Sequence, residues 1–255
     1  MIKKIFIILF SFLLISNPIF TFSASDNEEL NWYYVPCKNH EIPKGAKESA
    51  SFIKDYDAFY LGDTSKKVIY LTFDEGYENG NTLKILDILK ELDIKAAFFV
   101  VKPYIDTNPD IVKRMVIDGH LVCNHSNHHP SMASINDETK FKDEFTSVEH
   151  SFKSLTGTDM PKFFRPPMGK YSKNSLKMTK ELGYKTVFWS FAYKDWLVDE
   201  QPSESYAIDK IKSNVHNGEI MLLHAVSDTN TKILKEVLSS LQAEGYEFKT
   251  LNEIE

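Results

Sequence analysis

Residues 68–101 read VIYLTFDEGYENGNTLKILDILKELDIKAAFFVV, and this segment already contains a complete structural repeat. It opens with a β-rich run at residues 68–73 and closes with a second apolar run at residues 96–101. Between them Asn81 starts a helix, because apolar side chains recur there at helical spacing, at Leu83, Leu86 and Leu89 and at Ile85, Ile88 and Leu92. The pattern is strand, helix, strand, which predicts two parallel strands joined by a right-handed crossover.

The same alternation continues to the end of the chain. Further strands are predicted at residues 121–124, 163–165, 186–189, 220–223 and 247–250, with helices at 108–119, 137–155, 174–182, 206–215 and 230–244. Seven strand–helix units in a row predict an α/β fold with a parallel sheet. No glycine-rich phosphate loop follows the first strand, which disfavours an open nucleotide-binding sheet. We therefore expect a distorted, incomplete (β/α) barrel of seven or eight units.

The chain before residue 68 has two parts. Residues 1–25 combine Lys3 and Lys4 with an apolar run at 5–15, which is typical of an export signal. A membrane anchor that is retained is the alternative, because apolar residues continue beyond Pro18. Either interpretation predicts a protein that is exported across the cytoplasmic membrane, with membrane contact only through this segment. Residues 26–66 are predicted to be an N-terminal extension that packs on the main domain, residues 67–255.

Composition excludes several classes of protein. The 255 residues include 30 Lys+Arg and 36 Asp+Glu, for a net charge of −6, whereas a nucleic-acid-binding domain favours a basic face. Two cysteines are too few for a disulfide scaffold or a cysteine-based zinc cluster. We expect a globular protein with no nucleic-acid partner.

Chemically capable side chains follow five of the predicted strands. They are Asp74 and Glu75, then His125 and His129, then Arg165, then Asp195 and Trp196, and last His224. Barrels of parallel strands carry their active sites at the carboxyl ends of the strands. The sequence therefore predicts that these residues meet in one site.

The histidines are candidates for metal binding. His125 and His129 are four residues apart, so one helical turn would aim both at the same ion, and neutral imidazole suits zinc and similar metals. An isolated H-x-x-x-H is often only a polar turn, here closed by Pro130, but two carboxylates at the same end of the barrel favour the metal. His128 has the wrong spacing and is predicted to be peripheral.

The two acids and the arginine form a second group. Asp74 and Glu75 are adjacent at a strand end and point in different directions, so one can serve the metal while the other accepts a proton. Arg165 is the expected partner of a buried carboxylate and would keep it ionised. The alternative interpretations are a solvated acidic turn for Asp74 and Glu75 and a surface position for Arg165.

His224 emerges from an apolar strand and is the candidate general acid. Asp195 could hydrogen-bond to its ring and raise its pKa, although a lone histidine at such a place is more often a core residue. Trp196 could form the wall of a sugar site or belong to the core.

Five ordered segments resemble the motifs of NodB-like polysaccharide deacetylases, carbohydrate esterase family four. They are Thr72-Phe73-Asp74-Glu75-Gly76, His125-Ser126-x-x-His129, Arg165-Pro166-Pro167-x-Gly169, Asp195-Trp196 and Leu222-Leu223-His224. The resemblance covers residues 68–255 and implies a metal-dependent hydrolase that removes acetyl groups from amino sugars on a distorted barrel. The implied metal is divalent and expected to be zinc.

The resemblance also implies a role for each site residue. Asp74 is the base, oriented by Arg165, and His224 is the acid, tuned by Asp195. His125 and His129 hold the metal, with Glu75 or water completing its shell. Pro167, Met168, Gly169 and Trp196 bind substrate. Two positions depart from the family, which usually has Asp at the position of Glu75 and Tyr at the position of Met168.

Two further segments, Tyr77-Glu78-Asn79-Gly80 and Val187-Phe188-Trp189-Ser190, resemble the sporulation-type peptidoglycan N-acetylmuramic acid deacetylases. That resemblance implies action on peptidoglycan glycan strands at the forespore envelope, before muramic δ-lactam forms in the cortex and after a cell-wall amidase. The alternatives are an N-acetylglucosamine deacetylase of peptidoglycan or chitin-like glycans, a non-catalytic cell-wall-binding pseudoenzyme that has lost its metal, and a structural sporulation protein.

Overall fold

The structure is a computed structural model, and it describes residues 26–254. The predicted export segment, residues 1–25, lies outside the described residues. The strands are β1 Leu30–Asn31, β2 Tyr34–Val35, β3 Lys44–Gly45, β4 Ala58–Phe59, β5 Val68–Glu75, β6 Ala97–Val100, β7 Leu121–Asn124, β8 Phe163–Phe164, β9 Lys170–Tyr171, β10 Lys185–Val187, β11 Glu219–His224 and β12 Glu247–Phe248. The α-helices are α1 Thr82–Glu91, α2 Lys102–Thr107, α3 Pro109–Ile117, α4 Glu138–Thr156, α5 Lys173–Glu181, α6 Glu204–Asn214 and α7 Asp228–Ala243.

One parallel sheet forms the centre of the molecule, in the order β11-β5-β6-β7-β8-β10-β4, with β12 also pairing with β5. The sheet curls until its two edges nearly meet. Single-residue bridges from Phe191 to Met221 and from Leu61 to Glu219 connect the edges instead of a full ladder. The predicted incomplete (β/α) barrel is confirmed.

Strand β5 shows how the barrel divides its core. All eight of its residues are buried, which fits a strand covered on both faces. Val68 and Tyr70 belong to the apolar cluster inside the barrel, whereas Leu71 and Phe73 pack with the surrounding helices. Because side chains alternate along a strand, Asp74 shares the inner face with Tyr70 and Glu75 shares the outer face with Phe73.

Local sequence signals explain where the helices begin and end. Side-chain oxygens of Asp137, Ser172, Ser203 and Ser227 accept backbone N–H bonds at the N-termini of α4, α5, α6 and α7. Gly157 ends α4 with φ +75°, a conformation that favours glycine. The short helix α2 was not predicted.

The extension before β5 contacts the barrel closely. Trp32 stacks on Phe188 with ring centroids 4.3 Å apart, and its Nε1 donates to the Trp189 carbonyl at 2.9 Å. Strand β4 lies inside the predicted extension but pairs with β10 as an edge strand of the main sheet. The boundary placed at residue 66 therefore falls after the first strand of the barrel. Among residues 26–254, no helix is both long enough and apolar enough to cross a bilayer.

Candidate active site

A cleft of about 600 Å³ opens at the carboxyl ends of the barrel strands. Its described lining residues include most of the predicted site, together with several residues that were not predicted. They are Asp74, Gly76, Tyr77, His125, His129, Met168, Gly169, Trp189, Ala192, Tyr193, Lys194, Trp196, Leu222, His224 and Val226. The structure thus brings the chemically capable side chains of separate strands to one place.

Asp74 and Arg165 form a buried ion pair at the floor of the cleft. The Arg165 Nη1 donates to Asp74 Oδ1 at 2.7 Å, while its Nε donates to the Val187 carbonyl at 3.1 Å. Its guanidinium carbon lies 4.2 Å from the centre of the Phe99 ring. Burial alone would raise the pKa of Asp74, but the charge of Arg165, with His125 and His224 nearby, holds it below its usual value. Asp74 is therefore a carboxylate at neutral pH.

The two candidate metal ligands lie on a loop, not on the helical turn that their spacing predicted. After β7 the backbone is irregular, and Ser126 and His129 take left-handed φ values of 72° and 58°. The rings of His125 and His129 nevertheless approach edge to face, with centroids 4.9 Å apart. A four-residue spacing can bring two side chains together through a turn with two left-handed residues as well as through a helix.

Both imidazoles are in the neutral form that metal ligands require. Burial lowers the pKa of His125 to about 4, and burial also lowers the pKa of His129. His125 Nδ1 lies 2.8 Å from the Arg165 carbonyl, which can only accept, so Nδ1 carries the proton and Nε2 keeps its lone pair. That Nε2 lies 3.6 Å from Asp74 Oδ2, on the cleft side.

Glu144 of α4 anchors this loop from behind. Its Oε2 accepts from the backbone N–H groups of Asn127 and His128 at 2.9 and 2.8 Å, and its Oε1 lies 2.7 Å from His128 Nδ1. His128 itself points away from the cleft, with 73% of its side chain exposed. Its peripheral placement agrees with the prediction.

His224 and Asp195 form the opposite side of the site. Asp195 Oδ1 lies 2.7 Å from His224 Nδ1, and its Oδ2 accepts from the His224 backbone N–H at 2.8 Å and from Asn230 Nδ2 at 2.6 Å. Burial alone would lower the pKa of His224, but the carboxylates of Asp195 and Asp74 raise it above its usual value. Since β11 pairs with β5 so that His224 is opposite Asp74, a base and an acid face one another across adjacent strands.

Glu75 does not lie with the histidines, and its expected place in the metal shell is corrected. It lies on the outer face of β5, fully buried, and neither carboxylate oxygen has a hydrogen-bond partner among the described residues. Burial, together with the charges of Glu78 and Asp74, raises the pKa of Glu75 well above its usual value. The acid that acts electrostatically on His125 and His129 is Asp74. The alternation of a regular strand, which continues through Glu75, accounts for this placement.

Three of the four predicted substrate-binding residues line the cleft. Met168 and Trp196 are 54% and 47% exposed, and Gly169 lies close to the ring of Trp189. Pro167 is buried and is not among the described residues that line the cleft, so its contact with substrate stays a prediction. Gly169 has φ +66°, and an added Cβ would lie 2.8 Å from the Trp189 ring, so a larger residue would strain the backbone and displace that ring.

Sequence reasoning missed several residues of the site. Tyr77, Tyr193, Lys194 and Val226 line the cleft, and Asn230 holds Asp195 from α7. Tyr77 belongs to a segment that was singled out by resemblance but was given no role in the site, and the only signal for Lys194 was that it directly precedes Asp195. Asn230 follows its motif by one loop and carries no signal of its own.

The side chains of the cleft offer a partial set of ligands for a divalent metal. Within residues 26–254, no three His, Cys, Asp or Glu side chains converge closely enough to form a complete protein shell. The two neutral imidazoles, with the carboxylate of Asp74 beside them, are donors that first-row divalent metals accept. The residues fit a metal bound through two histidines, with the rest of its shell left open.

Comparison with known proteins agrees with this geometry. The model of the family described as "Polysaccharide deacetylase" matches residues 61–187. An uncharacterised 30.6 kDa protein of Geobacillus stearothermophilus is 46% identical over 92% of this chain and 88% of its own length. The peptidoglycan-N-acetylmuramic acid deacetylase PdaA of Bacillus subtilis is 42% identical over 91% and 88%. Its solved structure, described as a family 4 carbohydrate esterase, superposes with a TM-score of 0.86 over 89% of this chain and 97% of that one, at 42% identity. A peptidoglycan-N-acetylglucosamine deacetylase of Bacillus cereus is 30% identical over 87% and 82%.

Proposed function

The chain belongs to the polysaccharide deacetylase family, and from that membership we propose that it removes the N-acetyl group from N-acetylmuramic acid in peptidoglycan. The products are acetate and a free amine, which prepares the sugar for muramic δ-lactam formation in the spore cortex. One observation carries the proposal: an ionised Asp74 and a His224 of raised pKa face each other in register across β5 and β11.

His125 and His129 would hold a divalent metal, which we propose is zinc. Bound there, the metal would supply Lewis-acid polarisation of the acetamide carbonyl and lower the pKa of water. The chain's own contribution is to lower the pKa of both imidazoles, most strongly for the buried His125, and to fix the tautomer of His125 through the Arg165 carbonyl.

Asp74 accepts the proton of the attacking water. Arg165 holds the carboxylate ionised and fixes one of its oxygens, so that Oδ2 is left facing the cleft. The water oxygen bonds to the acetamide carbon, and its proton passes to Asp74.

His224 then protonates the leaving nitrogen, and the bond between that nitrogen and the acetyl carbon breaks. Asp195 favours the protonated form of His224 and orients it, because it binds both the ring and the backbone N–H of this residue. Asn230 fixes Asp195 in turn, so it is a positioning residue.

The choice of muramic acid is supported by the relatives. The muramic acid deacetylase PdaA is 42% identical to this chain, whereas the N-acetylglucosamine deacetylase of Bacillus cereus is 30% identical. The place of action belongs to the same proposal: export across the cytoplasmic membrane, a secreted or anchored enzyme at the forespore envelope, and a substrate prepared by an amidase.

Mass spectrometry of two substrates tests the proposal. One is peptidoglycan glycan stripped of its stem peptides, and the other is an N-acetylglucosamine oligomer; each is incubated with the purified protein and zinc. We expect loss of acetyl groups from muramic acid alone. Loss of acetyl groups from glucosamine alone would contradict the proposed substrate and favour the alternative, an N-acetylglucosamine deacetylase. Loss from neither would favour the non-catalytic wall-binding alternative.

The metal is tested with the same assay. Exhaustive chelation, followed by removal of the chelator, is expected to abolish acetate release, and added zinc is expected to restore it. Full activity of protein in which elemental analysis finds no metal would contradict the proposal.

A further inference from the structure

The charge of the cleft points to the chemistry of its ligand. Its described lining is largely aromatic and apolar around Asp74 and the histidines. Among those lining residues Lys194 is the one lysine or arginine. Arg165 is near but cannot reach a ligand, because it is fully buried: its Nη1 and Nε bind Asp74 and the Val187 carbonyl, and its Nη2, which has no partner among the described residues, is buried as well.

Lys194 lies next to the candidate catalytic residues Asp195 and His224. It immediately precedes Asp195, whose carboxylate holds His224, and Trp196 on the other side has its ring centre 5.5 Å from that of His224. The ammonium group is therefore carried by the same short segment that positions the candidate general acid.

The present partner of Lys194 is weakly held. Its Nζ lies 3.2 Å from Glu200 Oε2, and the two side chains are 59% and 70% exposed. Exposed pairs of this kind contribute little, because solvent screens them and ordering two long side chains costs entropy. A better placed carboxylate can displace Glu200 at small cost.

The two candidate amino sugars differ in one group. Muramic acid carries a lactyl ether on C3, next to the C2 that bears the acetamide, whereas glucosamine has a hydroxyl there. With the acetamide at Asp74 and His224, the neighbouring lactyl group must lie in the same cleft. Its carboxylate is an anion once no stem peptide is attached, and it then needs a cation when water is removed.

We propose that Lys194 binds the lactyl carboxylate of muramic acid and is the residue that selects this sugar, while Glu200 competes for the same ammonium group. The inference rests on the proposed function and adds the residue that determines its specificity for muramic acid. It agrees with the order already proposed, in which an amidase frees the lactyl carboxylate before this enzyme acts.

The test compares two forms of one glycan: peptide-free peptidoglycan strands, and the same strands with the lactyl carboxylate converted to a carboxamide. The measured quantity is the discrimination ratio, which is kcat/KM for the carboxylate form divided by kcat/KM for the carboxamide form. K194Q is expected to lower this ratio about tenfold, mainly through the KM of the carboxylate form. K194R retains the charge and is expected to keep most of the ratio.

Two other variants sharpen the test. E200Q removes the competing carboxylate and is expected to raise the discrimination ratio about twofold. K177Q is the matched control, because Lys177 forms a similarly exposed pair with Glu181 at 3.8 Å on the surface of α5. K177Q is expected to leave kcat/KM for both forms of the glycan unchanged.

The outcomes separate the two proposals. A ratio unchanged in K194Q, or an equal loss on both substrates, overturns the role of Lys194 while muramic acid deacetylation stands. If the native protein releases acetate from glucosamine oligomers and from neither muramic form, the proposed function fails and the inference fails with it.

Discussion

Two ionisable residues of this cleft, the buried Asp74 and the partly buried His224, acquire opposite charges through their neighbours. Asp74 and His224 both lose solvent, and burial by itself would favour the neutral form of each. Arg165 reverses that effect for Asp74, and Asp195 reverses it for His224. Both pKa values therefore shift towards the ionised forms, carboxylate for Asp74 and imidazolium for His224, which are the forms that a base and an acid need for amide hydrolysis.

Replacing Asp74 with Asn is expected to remove acetate release almost completely, by about 10³-fold or more, because the amide cannot accept a proton. The Asn carbonyl oxygen can still accept from Arg165, so the protein should fold, with a lower melting temperature because the guanidinium loses its counter-charge. Acetate release and circular dichroism are measured together. Near-normal turnover in a folded D74N protein would contradict the role of Asp74.

Asp195→Asn is expected to change the pH profile as well as the rate. His224 acts in its protonated form, so activity falls as the pH rises through its pKa. Asp195 raises that pKa, and removing the negative charge must lower it, which moves the alkaline limb of kcat to lower pH.

The measurement is kcat against pH for the native protein, D195N and D199N. Asp199 is exposed on the same loop, so its substitution should leave the alkaline limb in place. An unmoved limb in D195N would show that another group titrates there.

The sequence predicted the central site residues because barrel strands place their last side chains at one end. Asp74, Arg165 and His224 follow from that rule alone. Glu75 was assigned to the metal through resemblance, against the strand alternation that puts it on the outer face. Asn230 of α7 and Lys194, on the loop before α6, reach the site through tertiary packing, which no local pattern encodes.

At the scale of elements, α4 and the loop after β7 work together. The helix presents Glu144, 8% exposed, beneath the loop, where its carboxylate receives two backbone N–H groups. Those bonds fix a backbone segment that has two left-handed residues and no helical hydrogen bonds to hold it. The positions of His125 and His129 thus depend on a residue of a different element.

Glu144→Ala is expected to lower acetate release about tenfold to a hundredfold, because loss of the anchor displaces the histidines. The zinc concentration for half-maximal activity should rise in parallel, and activity should recover in part at high zinc. A purely structural loss would not respond to zinc. D143A, an exposed neighbour on α4, is the matched control and should behave like the native protein. Equal zinc dependence in E144A and D143A would refute the anchoring role.

Helices were predictable from the sequence where apolar residues recur at helical spacing over many positions, as in α4 and α7. A strand was predictable where it is buried on both faces, as in β5. The strand at Ala58–Phe59 was missed because two residues are too few to show an alternation of apolar and polar side chains. It exists because β10 offers an unpaired edge, which is a property of the assembled sheet. Helix α2 was missed for a similar reason, since its Lys102–Thr107 segment spans less than two turns.

At the scale of the whole molecule, Trp32 connects the N-terminal extension to the cleft. Its backbone N–H donates to the Gly169 carbonyl at 2.7 Å, and its ring lies against Phe188 and donates to the Trp189 carbonyl. Gly169 and Trp189 both line the cleft. The N-terminal extension is therefore part of the structure that supports the site.

Trp32→Ala is expected to lower the free energy of unfolding by about 3–5 kcal/mol, because a nearly buried indole is replaced by a cavity. Activity should fall as well, since Trp189 loses the N–H donor that holds its backbone. Urea denaturation and acetate release measure the two effects. Tyr33→Ala is the adjacent control, because Tyr33 is 41% exposed and should contribute about 1 kcal/mol or less. If both variants were equally stable and equally active, the extension would be an independent appendage, and the barrel would have to support its cleft without it.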